Sequence, residues 1–201
     1  MPIIESVETC APAVPLDKVT AFSNRTVTTR HYGLVKVRST EGVEGIGFCY
    51  VGSSGGSVFT KAVKELFSPL LLQADSYGVE SLWAKMYQEA LLQGRYGTVM
   101  RALSALDIAL WDLNAKTHQL PLHKYLGAFE LDSVAAYASG GYYLDGKGPK
   151  ELAKEMTDYV AMGFNTVKMK SGRLTPGEEE IRLKAVRDAV GPDVDPMMDM
   201  N

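Results

Sequence analysis

Hydrophobic and polar residues alternate in three short segments near the start of the chain, a pattern typical of half-buried β-strands. These segments are residues 3–10, 31–39 and 45–51. Residues 11–29, between the first two, contain two prolines and many small polar residues, so we expect a long loop there. A second loop, residues 52–56, consists of glycine and serine. The pattern predicts an antiparallel sheet whose strands are joined by hairpins.

The hydrophobic spacing then lengthens to three and four residues, which predicts helices. Three helices are expected, over residues 57–73, 79–93 and 97–119. The third has the clearest apolar face, formed by Val99, Leu103, Leu106, Leu110 and Leu113. Alanines form an adjacent stripe that would let another element approach closely. Strands followed by helices predict an α+β unit over residues 1–127.

Beyond residue 127 the pattern alternates between strands and helices. The predicted strands are residues 133–141, 164–170 and 194–200, and the predicted helices are residues 148–163 and 176–191. This β-α-β-α-β order is the signature of a parallel sheet. We therefore expect a second domain over residues 128–201.

The composition is that of an ordinary globular protein, with 46% hydrophobic and 22% charged residues among 201. The formal net charge is −3 and no basic run is present, so we expect neither a nucleic-acid nor a membrane partner. No stretch approaches the roughly 20 apolar residues of a membrane span. Cys10 and Cys49 are too few for a disulfide framework, and residues 1–10 do not resemble a signal peptide. These features predict a cytoplasmic protein.

Two lysines share one side of the predicted strand 164–170. Because side chains alternate along a strand, Lys168 and Lys170 point one way and Val167 and Met169 the other. An edge or surface strand with a solvated lysine face would give the same sequence. In a parallel α/β layout, however, these lysines lie at the carboxyl end of the strand, where the active sites of such sheets and barrels are found. Since neighbouring ammonium groups repel, one of them could lose its proton near neutral pH and act as a base.

A second polar pair ends the next predicted strand. Asp199 and Asn201 are two residues apart and therefore point to the same side. A carboxylate in this position is a hard oxygen ligand suited to Mg²⁺. The alternative is an ordinary turn, because Asp and Asn both favour turns.

The third helix, the lysine pair and the Asp-x-Asn pair follow one another along the chain. In this order they resemble the enolase superfamily, in its mandelate racemase and muconate lactonizing enzyme branch. The third helix resembles the A-x-S-A-x-D-x-A-x-W-D signature of that branch, here formed by Ala102, Ser104, Ala105, Asp107, Ala109, Trp111 and Asp112. The resemblance covers essentially the whole chain. It implies an α+β capping domain followed by the first β/α units of a TIM-type (β/α) barrel that is incomplete in this chain.

The resemblance also implies roles for single residues. Lys170 matches the base that removes the proton α to a carboxylate, and Lys168 matches the lysine that holds the substrate carboxylate. Asp199 matches the first of three carboxylates that bind Mg²⁺, and Asn201 matches a polar residue near the substrate.

The resemblance also implies that two loops of the capping domain, residues 11–29 and 50–56, close over the barrel mouth and select the substrate. The first contains Asn24 and Arg25, and the second contains Tyr50 and Ser53. Polar groups at these positions favour a hydroxylated acid over an apolar one.

The implied function is Mg²⁺-dependent removal of the α-proton of a small carboxylic acid to give an enediolate. We expect dehydration of a sugar acid by a lyase, or racemisation of a 2-hydroxy acid by an isomerase. A cycloisomerase or dipeptide epimerase, or a non-catalytic carboxylate-binding relative, remains as an alternative. A homo-oligomer is expected. A complete barrel takes about 250 residues, so we expect the chain to be part of a longer protein and to be inactive alone.

Overall fold

The computed structural model describes residues 1–130 and 133–200, and it divides the chain into two compact units. The first unit consists of Met1–Pro15 and Thr29–Asp132, and the second of Leu16–Thr28 and Ser133–Asn201, each as far as its residues are described. Asn201 lies outside the described residues.

The first half of the chain contains an antiparallel sheet centred on a long strand. The strands are β1 (Ile4–Cys10), β2 (Ala13–Ala21), β3 (Thr26–Ser39) and β4 (Glu44–Gly52), and β3 is hydrogen-bonded to the other three. The expected long loop over residues 11–29 was therefore wrong. Strand β2 is largely exposed, so its sequence carries no apolar alternation that could have revealed it.

The turn between β2 and β3 is short. The Phe22 N–H donates to the Arg25 carbonyl oxygen at 2.8 Å, which closes a hairpin. Residues 16–28, on either side of this turn, belong to the second unit.

Helices cover one face of the sheet. They are α1 (Gly56–Lys61), a π-helical segment (Ala62–Phe67), α2 (Ser68–Leu71), α3 (Val79–Ala90), α4 (Thr98–Thr117) and α5 (Leu122–Tyr125). The leucines of α4 at positions 103, 106, 110 and 113 are fully buried, and burial of such a side chain stabilises a fold by about 1.5–3 kcal/mol. In the described part of the chain, no helix is long and apolar enough to cross a membrane.

Helix α4 and strand β4 approach unusually closely. A Cβ atom on Gly47 would lie 1.9 Å from the Ala105 carbonyl oxygen, and one on Gly45 would lie 2.0 Å from that of Ala109. Asp112 adds a polar link, because its carboxylate accepts the Ile46 N–H at 2.8 Å. The alanine stripe thus permits the close approach that the sequence predicted.

The second unit contains a parallel sheet with two helices. Its elements are β5 (Ala138–Ser139), α6 (Pro149–Ala161), β6 (Thr166–Lys170), α7 (Pro176–Val190) and β7 (Asp195–Asp199), and the strand order is β5-β6-β7. The predicted parallel topology is confirmed. The first strand is much shorter than the expected 133–141. At its carboxyl end a pair of glycines follows, and Gly141 adopts a positive φ of 66°.

Strand β6 is central in this sheet, and its two sides differ. Val167 and Met169 are buried in a small core with Leu152 and Met156 of α6 and Val186 of α7. The lysines therefore lie on the side away from the helices. Because β6 has a neighbour on each edge, the alternative of an edge strand is wrong.

Candidate active site

The side chains of Lys168 and Lys170 converge on the carboxylate of Asp199. The Asp199 Oδ2 atom lies 2.9 Å from the Lys168 Nζ and 2.6 Å from the Lys170 Nζ. This follows from the register, since Lys170 is paired with Asp199 on the adjacent strand. Three of the predicted site residues thus meet at the carboxyl end of the parallel strands.

The three groups are only partly accessible to solvent. The exposed fraction of the side chain is 11% for Lys170, 26% for Lys168 and 23% for Asp199. The hydrogen bond to Asp199, together with its negative charge, raises the pKa of Lys168 above its usual value, although partial burial opposes this. The sequence led us to expect that repulsion between the lysines would favour a neutral amine. For Lys168, the Asp199 carboxylate between the two lysines reverses the direction of the expected pKa shift.

Two aromatic rings lie close to the Lys170 ammonium group. Its Nζ lies 5.2 Å from the ring centroid of Phe22 and 5.8 Å from that of Tyr142. These two rings are in edge-to-face contact, with centroids 5.5 Å apart. At such distances a ring attracts an ammonium group through its quadrupole. Phe22 immediately precedes the hairpin turn, so the hairpin contributes an aromatic cover above Lys170.

The residues that were predicted to bind substrate belong to both units. Asn24 and Arg25 lie in the hairpin turn, in the same unit as the lysines, and their side chains are exposed. Tyr50 and Ser53 belong to the first unit. Tyr50 is half-buried there, with its ring centroid 5.9 Å from the Arg101 guanidinium. Asn201 is outside the described residues. A role in substrate binding remains a prediction for all five residues.

Sequence reasoning missed Phe22 and Tyr142. Tyr142 directly follows the glycine pair after β5, and this position at the end of a parallel strand is the feature that indicates a site residue. Phe22 gave no such signal, because the segment was expected to be a loop and its polar residues were favoured instead. The hairpin reaches this position through a bridge between Ala21 and Tyr143.

Asp199 is the residue of this site that could bind a metal ion. Among the described residues, no group of three or more His, Cys, Asp or Glu side chains is placed to hold a cation. Mg²⁺ is commonly held by one or two carboxylates and keeps several waters. Asp199 fits one such ligand, because its carboxylate lies at the carboxyl end of a parallel strand and retains partial access to solvent.

Two family models match the chain. Residues 4–127 match the model described as "Mandelate racemase / muconate lactonizing enzyme, N-terminal domain". Residues 151–201 match the model described as "Enolase C-terminal domain-like".

Individual relatives agree with these matches. Arabinonate dehydratase from Saccharolobus solfataricus is 40% identical over 139 residues, which is 69% of this chain and 37% of the relative. The 3,6-anhydro-alpha-L-galactonate cycloisomerase of Streptomyces coelicolor is 31% identical, over 99% of this chain and 55% of the relative. A crystal structure of a racemase from Streptomyces coelicolor A3(2) with bound magnesium superposes with a TM-score of 0.90 at 31% identity, covering 99% of this chain and 55% of that chain. The matched segments therefore cover from 37% to 55% of the length of these relatives.

Proposed function

Because the chain belongs to the mandelate racemase / muconate lactonizing enzyme family of the enolase superfamily, we propose that it forms part of an enzyme that removes the proton α to a carboxylate group. One observation carries the proposal: two lysines and an aspartate converge at the carboxyl end of parallel strands. In α/β sheets and barrels this end is where catalytic residues lie.

Lys170 is the proposed base. Its side chain is the more buried of the two lysines, and the aromatic rings of Phe22 and Tyr142 limit the access of water to it. A base in such surroundings is held in place and is protected from competing protons. Lys168, which is more exposed, is proposed to bind the substrate carboxylate as an ion pair.

Asp199 is proposed to be a Mg²⁺ ligand. When bound, the cation would supply positive charge next to the substrate carboxylate, where negative charge increases as the α-proton leaves. Asp199 also orients both lysines, because a single carboxylate oxygen contacts the two ammonium groups.

The proposed substrate is a sugar acid, and dehydration is the preferred reaction. The names of both curated relatives specify sugar acids, arabinonate and 3,6-anhydro-alpha-L-galactonate. Racemisation of a 2-hydroxy acid is the second candidate, favoured by the structural similarity to a racemase. Cycloisomerases among the relatives also support a cycloisomerase activity, and a dipeptide epimerase is supported by the structural similarity to the L-Ala-D/L-Glu epimerase from Bacillus subtilis, with a TM-score of 0.83 at 26% identity. The non-catalytic alternative rests on the sequence resemblance alone. Assembly into a homo-oligomer and a cytoplasmic location remain predictions.

A panel of sugar acids and 2-hydroxy acids, incubated with Mg²⁺ and the full-length protein that contains this chain, would test the proposal. A dehydratase would release water and form a 2-keto-3-deoxy acid, which NMR would identify. A racemase would instead yield the opposite configuration at the α-carbon. Saturable binding of a carboxylate without any turnover would establish the non-catalytic alternative and overturn the proposed activity.

A further inference from the structure

A buried ion pair lies on helix α7, next to the strand that carries the lysines. The Arg182 Nη1 is 2.7 Å from the Glu179 Oε2, and the side chains are only 7% and 9% exposed. A buried ion pair contributes little stability unless its remaining hydrogen-bonding groups are satisfied. The partners of these two side chains therefore indicate what the pair does.

Glu179 holds the loop that follows β6. Its Oε1 accepts the three consecutive backbone N–H groups of residues 172–174, at 3.0, 3.1 and 3.1 Å. It also accepts the hydroxyl proton of Tyr143. Burial raises the pKa of Glu179, but the hydrogen bonds from Tyr143, the loop backbone and Arg182 outweigh it and lower the pKa to about 2. Glu179 is therefore ionised at neutral pH.

Arg182 joins the ends of two strands. Its guanidinium donates to the Lys170 carbonyl oxygen at 3.1 Å and to the Gly141 carbonyl oxygen at 3.2 Å. Lys170 is the last residue of β6, and Gly141 lies two residues beyond β5. The guanidinium also stacks on the Tyr143 ring, 4.2 Å from its centroid.

The N–H group of Gly141 is held by a hydrogen bond, as its carbonyl group is. Its N–H donates to the Glu155 Oε2 at 3.2 Å. A Cβ atom at this position would lie 2.6 Å from the Cβ of Met169, so only glycine allows the segment to pack this closely on β6. Gly141 immediately precedes Tyr142, whose ring lies beside the Lys170 ammonium group.

We infer that Arg182 is a positioning residue for Lys170: by bridging the carbonyl groups of Lys170 and Gly141, it fixes the backbone of the base relative to the ring of Tyr142. The inference rests on the proposed function, in which Lys170 removes the α-proton. A lysine side chain is flexible, so its reach depends on where its backbone is held. An error of about 1 Å in the position of a reacting group can lower a rate about 10²-fold.

The test compares the same substitution at two arginines of α7. Arg182→Lys keeps a positive charge beside Glu179, but an ammonium group cannot reproduce the planar fork that bridges two carbonyl groups. Arg187→Lys is the matched control, because Arg187 also donates to two backbone carbonyl groups, those of Gly191 and Val194, near the amino-terminal end of β7.

The readout is α-proton exchange in the full-length protein. For Arg182→Lys we expect kcat to fall by roughly 10²-fold with little change in KM, because Lys168 still binds the substrate carboxylate. Arg187→Lys should retain the kcat of the unsubstituted protein. Guanidinium ion at millimolar concentration should restore part of the kcat of Arg182→Ala and none of that of Lys170→Ala. Equal kcat values for the two Lys variants would overturn the inference while leaving the proposed function intact.

Hydrogen exchange separates a failure of the inference from a failure of the proposed function. If the unsubstituted protein exchanges no α-proton of any acid tested, the proposed function fails. The inference is then decided by backbone amide exchange at Gly141 and Ser171, which lie at the two carbonyl groups that Arg182 bridges and donate their N–H groups to Glu155 and to the Asp199 carbonyl oxygen. Arg182→Lys should accelerate exchange at these two residues and Arg187→Lys should not. The same exchange rates at Gly141 and Ser171 in both variants would overturn the inference.

Discussion

Lys170 and Asp199 occupy paired positions on neighbouring parallel strands, and the Nζ of the lysine lies 2.6 Å from the Oδ2 of the aspartate. The same oxygen contacts Lys168 at 2.9 Å. The two motifs that the sequence presents 29 residues apart are thus one cluster in the structure. The Asp199 carboxylate therefore lies within ion-pair distance of both ammonium groups.

Substitution of Asp199 tests its role as a metal ligand. Asp199→Asn replaces an anionic oxygen ligand with a neutral one, so we expect the full-length protein to bind Mg²⁺ at least about tenfold more weakly in calorimetry. Asp195→Asn is the matched control, because Asp195 begins the same strand and is exposed. Equal Mg²⁺ affinities of the two variants would identify Asp199 as a structural residue.

The aromatic cover above Lys170 is testable by chemical labelling. Phe22→Ala removes a ring that lies 5.2 Å from the Lys170 Nζ, and the ammonium group then becomes more accessible. We expect an amine-acylating reagent to label Lys170 faster in this variant, as measured by peptide mass spectrometry. Val19→Ala, at an exposed position of the same hairpin, should leave the labelling rate unchanged. A rate that does not increase in Phe22→Ala would show that the ring does not shield the base.

The ion pair between Glu179 and Arg182 on α7 predicts that the stability of the folded protein decreases at acidic pH. The pKa of Glu179 is lowered from 4.5 to about 2 in the folded protein. A lowered pKa contributes stability above the pKa of the unfolded state, and that contribution is lost as pH falls towards the folded value. The difference corresponds to roughly 3 kcal/mol near neutral pH.

Urea unfolding of the unsubstituted chain and of Glu179→Gln, measured from pH 6 to pH 3, checks this dependence. We expect the stability difference between the two proteins to shrink as the pH falls below about 4.5, the unfolded-state pKa of a glutamate. Glu180→Gln is a control for the removal of a carboxylate from the same helix, because Glu180 follows Glu179 directly and is exposed. A stability difference that stays constant over this range would contradict the assignment.

Close packing of α4 on β4 predicts a strong effect of a single methyl group. In Gly47→Ala the new Cβ would lie 1.9 Å from the Ala105 carbonyl oxygen, and backbone atoms cannot move aside easily. We expect a loss of about 3 kcal/mol in the free energy of unfolding, or failure to fold. Gly177→Ala introduces the same methyl group where no atom lies within 4 Å and should not destabilise. Equal stabilities of the two variants would contradict the close approach.

The sequence predicted the parts of the fold that rest on regular apolar spacing. The alternation along residues 166–170 placed both lysines on one side of β6, and the β-α-β order placed Asp199 beside them. The helical signature of α4 led to the family, and the matches to the two family models confirm it. These features depend on residues that are close in sequence, so the amino-acid sequence of one protein is enough to predict them.

The remaining features depend on contacts between distant segments. Strand β2 is exposed along most of its length, so no apolar period distinguished it from a loop. Phe22 and Tyr142 are 120 residues apart in sequence, and only the folded hairpin brings their rings together. Arg182 is buried because its guanidinium donates to the carbonyl groups of Lys170 and Gly141, and these acceptors lie 12 and 41 residues away in sequence.

Solvent deuterium incorporation at the α-carbon of a sugar acid tests the central claim most directly. The full-length protein, its Lys170→Ala variant and its Lys184→Ala variant would be incubated with substrate and Mg²⁺ in D₂O and followed by proton NMR. Lys184 is a matched control, because it lies on the exposed face of α7 and is 72% exposed. We expect rapid loss of the α-proton signal with the unsubstituted protein and with Lys184→Ala, and no loss with Lys170→Ala. Undiminished exchange in Lys170→Ala would contradict the assignment of Lys170 as the base.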